Sequence, residues 1–184
     1  MEEDIFVKIA LGVAQNILRP PYFIKRGSSL LYQITVDNKL DIVVNPKKPK
    51  RGQSAFETDL CIYEKVNNDI EIPRVVLEFK KGLSTHDVLI YSSKASKHKE
   101  IYPYLRYGLI IGNENKIPGK FFTHNRALDF CVAAKTYKEN ELEAMLSKLF
   151  KAEIKSSRLL ESIVFEKLAA TIFRNNIETI LNRN

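Results

Sequence analysis

Between Pro73 and Gly112 the chain passes from an apolar run to a helical pattern and back to an apolar run, which leaves few folds open. "PRVVLEFK", residues 73–80, is rich in β-branched and aliphatic residues. "YGLIIGN", residues 107–113, is uniformly apolar until Gly112 and Asn113 close it, as expected for a fully buried strand. The stretch between them, "STHDVLIYSSKASKHKEIYPYL", opens with Ser84 or Thr85 as a helix cap and carries Asp87 in its first turn. Val88, Tyr91, Ala95, His98 and Tyr102 form one stripe at 3–4 spacing, and Pro103 ends the helix. A helix that crosses between two strands makes them parallel and adjacent.

Other elements gather around that unit. Ile5, Ile9, Val13 and Ile17 predict a helix over residues 3–18, stopped by "RPP" at 19–21. Short strands are expected in "LLYQITVDN" and "KLDIVVNP", with a turn at Asp37 and Asn38. The Pro- and Lys-rich "PKKPKRGQ", residues 46–53, reads as loop. "AFETDLCIYEK" alternates from Thr58 to Glu64 and reads as a strand, joined to "PRVVLEFK" through the turn "NND". "FFTHNRALDFCVAA" fits either a strand or a short helix. Helices are expected over "ENELEAMLSKLF" and over residues 156–182, the second broken near Asn175. The fold class is therefore α/β (α+β): a mixed sheet flanked by helices, with a helical C-terminal segment from about residue 138. A length of 184 residues suits one domain.

Composition narrows the function. Hydrophobic residues make up 45%, enough for a core, and no run approaches the ~18 apolar residues of a membrane span. The N-terminus "MEEDIFVKIA" carries acids where a secretory signal carries bases. Cys61 and Cys131 lie far apart with no Cys/His pattern, which points to a reduced, cytoplasmic protein without structural zinc. A net charge of +7 favours a polyanionic partner, of which nucleic acid is the commonest.

The chemistry concentrates where the first apolar run ends. Residues i and i+2 of a strand share a face, so Glu78 and Lys80 stand side by side. The hairpin brings Asp59 of the preceding strand beside Glu78. Two converging carboxylates are costly without a counter-charge. A divalent cation supplies one, and Mg2+ is often held by one or two carboxylates plus water and phosphate oxygens. Lys80 can position or help deprotonate an attacking water. Glu57 shares the face of Asp59 and is a further candidate ligand.

Asp59 followed by Glu78-Phe79-Lys80 resembles the PD-(D/E)XK nuclease superfamily, whose restriction-endonuclease-like order of helix, hairpin strands, helix and strand is matched over about residues 3–112. Thr58 stands where many members carry proline. The resemblance implies an endonuclease that hydrolyses DNA phosphodiester bonds. Asp59 and Glu78 would hold Mg2+, with Mn2+ able to substitute, and Lys80 would assist the water. Some members carry another acid on the first helix, a place that Glu3 or Asp4 could fill. Type II restriction endonucleases are the leading expectation, with double-stranded DNA as partner and a homodimer or heteromeric subunit as assembly.

The resemblance also implies that the second helix flanks the cleft. His86, Lys94, Lys97 and His98 become candidate DNA contacts, as do Lys47, Lys48, Lys50 and Arg51 in the loop. The rivals are a junction-resolvase-like repair nuclease, a catalytically idle DNA-binding module of the same fold, and a protein-interaction domain.

Overall fold

The structure is a computed structural model, and residues 3–174 are described. Its five strands lie in the spatial order β1 (Tyr22–Leu31), β2 (Ala55–Lys65), β3 (Glu71–Lys80), β4 (Arg106–Ile111) and β5 (Phe130–Ala133). The pairs β1–β2 and β2–β3 are antiparallel, while β3–β4 and β4–β5 are parallel. The sheet is therefore mixed, and the crossover between β3 and β4 is helix α2 (Thr85–Ile101). Ser84 and Asp87 close a capping box at its start, with Asp87 N–H donating to Ser84 Oγ at 3.1 Å. The ambiguous stretch after β4 contains both kinds of element: α3 (Gly119–His124) and then β5.

Strand alternation sends side chains into two apolar layers. Leu60, Ile62, Val75, Leu77, Phe79 and Ile110 pack against α1 (Glu3–Ile17) and α4 (Glu139–Val164). Cys61, Val76, Tyr107, Leu109 and Ile111 pack on the other face, against Val88, Tyr91 and Ala95 of α2. Gly112, just past β4, lets α1 close down. A Cβ there would lie 2.2 Å from the Phe6 ring, and Phe6 is itself buried. Gly112→Ala is expected to lower stability by about 1–3 kcal/mol through overpacking, read as a drop of several degrees in the thermal midpoint. An unchanged midpoint would contradict this packing.

Two expectations are corrected. The first strand is Tyr22–Leu31, not 30–38, and it pairs with β2 along its length. The segment expected to form two strands over 30–46 is mostly irregular, with one isolated bridge, Val36 to Ile42. Its alternating apolar residues Ile34, Val36, Ile42 and Val43 are exposed, so the pattern has no layer to serve.

Among the described residues, the C-terminal region forms a single helix where two were expected. Leu142, Leu146, Phe150 and Ile154 are buried at intervals of four, so the stripe runs straight through the supposed break at 151–155. Helix α4 ends at Val164, and Glu166 has φ +57°. A 26-residue helix is about 39 Å long, against ~33 Å for a ten-residue strand. The helix thus outruns the sheet, and the apolar Phe165, Leu168, Ile172 and Phe173 beyond it are exposed. The expected break near Asn175 lies outside the described residues.

Candidate active site

The site lies where the β2–β3 ladder stops. Its last pair at this end is Leu60 with Leu77. One step further along the same register stand Asp59 and Glu78, on the face covered by α2. The side chain of Asp59 replaces the missing ladder bond, with Oδ2 accepting the Phe79 N–H at 2.8 Å. Phe79 turns its ring into the opposite layer, where it is 1% exposed. Gly27 of β1 falls between the pairs Arg26–Leu60 and Ser28–Thr58, level with Asp59. Its φ of +65° is strained for any other residue. Thr58 directs its hydroxyl to the Ser28 carbonyl, 3.0 Å away.

Glu78 is 2% exposed. Two groups meet its Oε1: the Tyr107 hydroxyl donates at 2.5 Å, and the Lys94 ammonium lies 3.8 Å away. Burial pushes the Glu78 carboxyl up to about 7, and the Asp59 charge pushes the same way. Lys94 and the Tyr107 hydrogen bond oppose the shift without cancelling it. The buried site therefore disfavours two ionised carboxylates at once, a cost that a proton or a bound cation would relieve.

The cation against Glu78 is Lys94 of α2, not the expected Lys80. Lys80 Nζ sits over the Tyr91 ring, 5.6 Å from its centroid, and Lys94 Nζ lies 5.2 Å from the same ring and 5.8 Å from that of Phe56. Tyr91 thus serves as a shared support for two ammonium groups.

Tyr107 was not singled out by sequence, although it carried a signal. A buried phenol needs a partner for its hydroxyl, and Tyr107 leads the apolar part of β4, just after Arg106. The register pairs it with Val76, two positions before Glu78 and on the same face.

His98 does not reach the surface, which corrects its assignment as a DNA contact. It is fully buried and stacked on Tyr107 with centroids 5.7 Å apart. Nδ1 lies 2.9 Å from the Leu31 carbonyl oxygen, which can only accept, so Nδ1 carries the hydrogen. Burial lowers its pKa to about 4, helped by the Lys94 charge, so the ring is neutral. It braces Tyr107 from behind.

The other candidates separate. His86 is exposed at the start of α2, and Lys97 pairs with Glu100 at 3.0 Å. Lys47, Lys48, Lys50 and Arg51 are exposed on the loop before β2. Arg51 takes Glu57 as its partner at 3.2 Å. Asp4 pairs with Arg26 at 2.6 Å. The Glu3 side chain lies outside the described residues. Among the described residues no group of three or more acids, histidines or cysteines is placed to hold a metal ion, and Glu57 and Asp4 are engaged by Arg51 and Arg26. What remains is a pair of hard oxygen donors, one of them in a buried place where its ionised form needs a counter-charge. That donor set fits Mg2+, which commonly takes one or two carboxylates and fills the rest of its shell with water.

No described helix is long and apolar enough to cross a membrane. No protein-family model matches the sequence, and no curated protein matches it as a relative.

Proposed function

We propose that the chain is a Mg2+-dependent DNA endonuclease of the PD-(D/E)XK kind, with a type II restriction endonuclease or its subunit as the leading form. One observation carries the reading. Asp59 and Glu78 stand at the open end of adjacent strands on one face, one anchored by a backbone amide and the other by a buried phenol. Mg2+ held by Asp59 and Glu78 would supply charge stabilisation at a phosphodiester and lower the pKa of water. The chain's own groups do the rest. Lys80 and Lys94, held at the Tyr91 ring, offer ammonium donors to a phosphate oxygen or a water. Tyr107 keeps Glu78 oriented and favours its ionised form. The exposed lysines and Arg51 of the 46–53 loop suit contact with a DNA backbone, which would make binding strongly salt-dependent.

The test is digestion of linear phage DNA and of a four-way DNA junction with Mg2+. Discrete fragments from linear DNA support a restriction-type enzyme. Resolution of the junction alone moves the reading to a structure-selective nuclease. No cleavage of either substrate contradicts the proposal.

Tyr107→Phe gives a finer check. It removes a donor to the Glu78 carboxylate, which makes ionisation of Glu78 harder. The cleavage rate is expected to fall about tenfold near pH 6, with a smaller loss near pH 9, so the acidic limb of the pH–rate profile moves upward. An equal loss at all pH values would assign Tyr107 a packing role only.

A further inference from the structure

A second polar feature lies on the other side of the sheet. The end of α1, the start of β1 and the middle of α4 enclose a groove of about 580 Å³. Its lining includes four cations, Arg19, Lys151, Lys155 and Arg158, together with the Tyr22 hydroxyl. Among the described residues, no acidic one lines it. Its floor is apolar, made by Ile17, Leu18, Pro20 and Ile154. Tyr22 pairs with Glu64 of β2, five residues from Asp59 or about 17 Å along the strand. The groove is thus separate from the carboxylate pair.

Its arginines are held in place. Arg19 Nη1 donates to the carbonyls of Asn16 and Leu18, at 2.8 and 3.0 Å, at the C-terminal end of α1. Arg158 Nη1 donates to Tyr22 Oη at 2.9 Å. Arg158 also feels the charges of Glu64 and Glu161, which Arg74 engages at 2.8 and 2.7 Å. Lys151 and Lys155 are exposed and sit one helical turn apart on α4. Glu64 and Glu161 help to balance Arg158, while Arg19, Lys151 and Lys155 add further positive charge at the same groove, which favours an anion there. Guanidinium groups suit phosphate oxygens in pairs. The apolar floor asks for a ligand with a body as well as a charge, and the volume suits a small organic molecule.

We propose that this groove binds an organic phosphate of nucleotide size, with its phosphates among Arg19, Lys151, Lys155 and Arg158 and its apolar body on Ile17, Leu18 and Ile154. The inference goes beyond the nuclease reading and stands without it.

The experiment titrates the full chain with ADP, inorganic phosphate and a short DNA duplex. Heat is measured by calorimetry, and the Ile17 and Ile154 methyl signals are followed by NMR. ADP is expected to bind, to move both methyl signals, and to bind more tightly than phosphate. The double variant Lys151→Glu, Lys155→Glu is expected to weaken ADP on the order of tenfold or more. Both lysines are exposed, so its thermal midpoint should stay unchanged. Asp59→Asn is expected to leave ADP binding as it was, so the cleavage reading and this one fail separately. The proposal is overturned if neither methyl signal moves at millimolar ADP, or if the double variant binds ADP as well as the wild type. Phosphate binding as tightly as ADP would also overturn it, because the apolar floor would then play no part. So would a duplex that moves these signals when ADP does not, since the groove would then be a nucleic-acid contact.

Discussion

Glu78→Gln is expected to abolish Mg2+-dependent cleavage and, in the absence of metal, to make the protein more stable. Both effects come from one cause. Burial and the Asp59 charge raise the Glu78 carboxyl from 4.5 to about 7. Between those values the folded chain keeps a proton that the unfolded chain has released. Stability therefore falls as pH rises from about 4.5 to 7, and the ionised form above 7 is the least stable. A glutamine carries no charge to desolvate, and its carbonyl can still accept from Tyr107. The gain above pH 7 in EDTA is on the order of 3 kcal/mol, or about 6–12 °C in the thermal midpoint. Near pH 4 the two proteins should melt together. With Mg2+ the order narrows or reverses, because only the wild type has both carboxylates for the ion. Cleavage should drop by at least about 10²-fold. Thermal melts in EDTA and in Mg2+ at two pH values check the whole pattern. A variant less stable than the wild type in EDTA above pH 7 would mean that Glu78 is a structural anion.

Arg74→Met is expected to cost about 3–5 kcal/mol. Arg74 is 2% exposed at the start of the buried part of β3. Its Nε donates to Glu64 at 2.9 Å, its Nη2 to Glu161 of α4 at 2.7 Å, and its guanidinium lies over the Tyr104 ring at 5.3 Å. Removing the cation leaves two acids facing each other between sheet and helix, with only Arg158 nearby. The thermal midpoint should fall by about 10 °C or more. Adding Glu64→Gln and Glu161→Gln should recover most of the loss, because replacing a whole buried ion cluster is often close to neutral. If the single variant melts like the wild type, the triad does not tie α4 to the sheet.

What was legible in the sequence had sharp periods. The β3–α2–β4 unit stands out because apolar runs flank a clean helical stripe, and Ser84 and Asp87 mark its start. Asp59 and Glu78 follow from counting back through one hairpin. β1 was hidden because its middle, Lys25 to Ser29, is polar: it is an edge strand, and Lys25, Arg26 and Gly27 face solvent. The 30–46 segment misled for the opposite reason, since its alternation is real but unburied. The length of α4 was obscured by its polar residues at 155–158, although Phe150 and Ile154 carry the stripe toward them. Strand order alone could place Lys80 beside Glu78 in sequence terms. The inward aim of His98 was already implied by its place in the apolar stripe of α2, but only the packing could show that Lys94 comes closer and that Tyr107 reaches Glu78 from β4.

The most direct measurement is plasmid cleavage by the wild-type chain and by Asp59→Asn, each with Mg2+ and with EDTA. The account predicts nicked or linear product from the wild type with Mg2+, none with EDTA, and none from a folded Asp59→Asn. Cleavage that persists in Asp59→Asn, or that ignores EDTA, would contradict it.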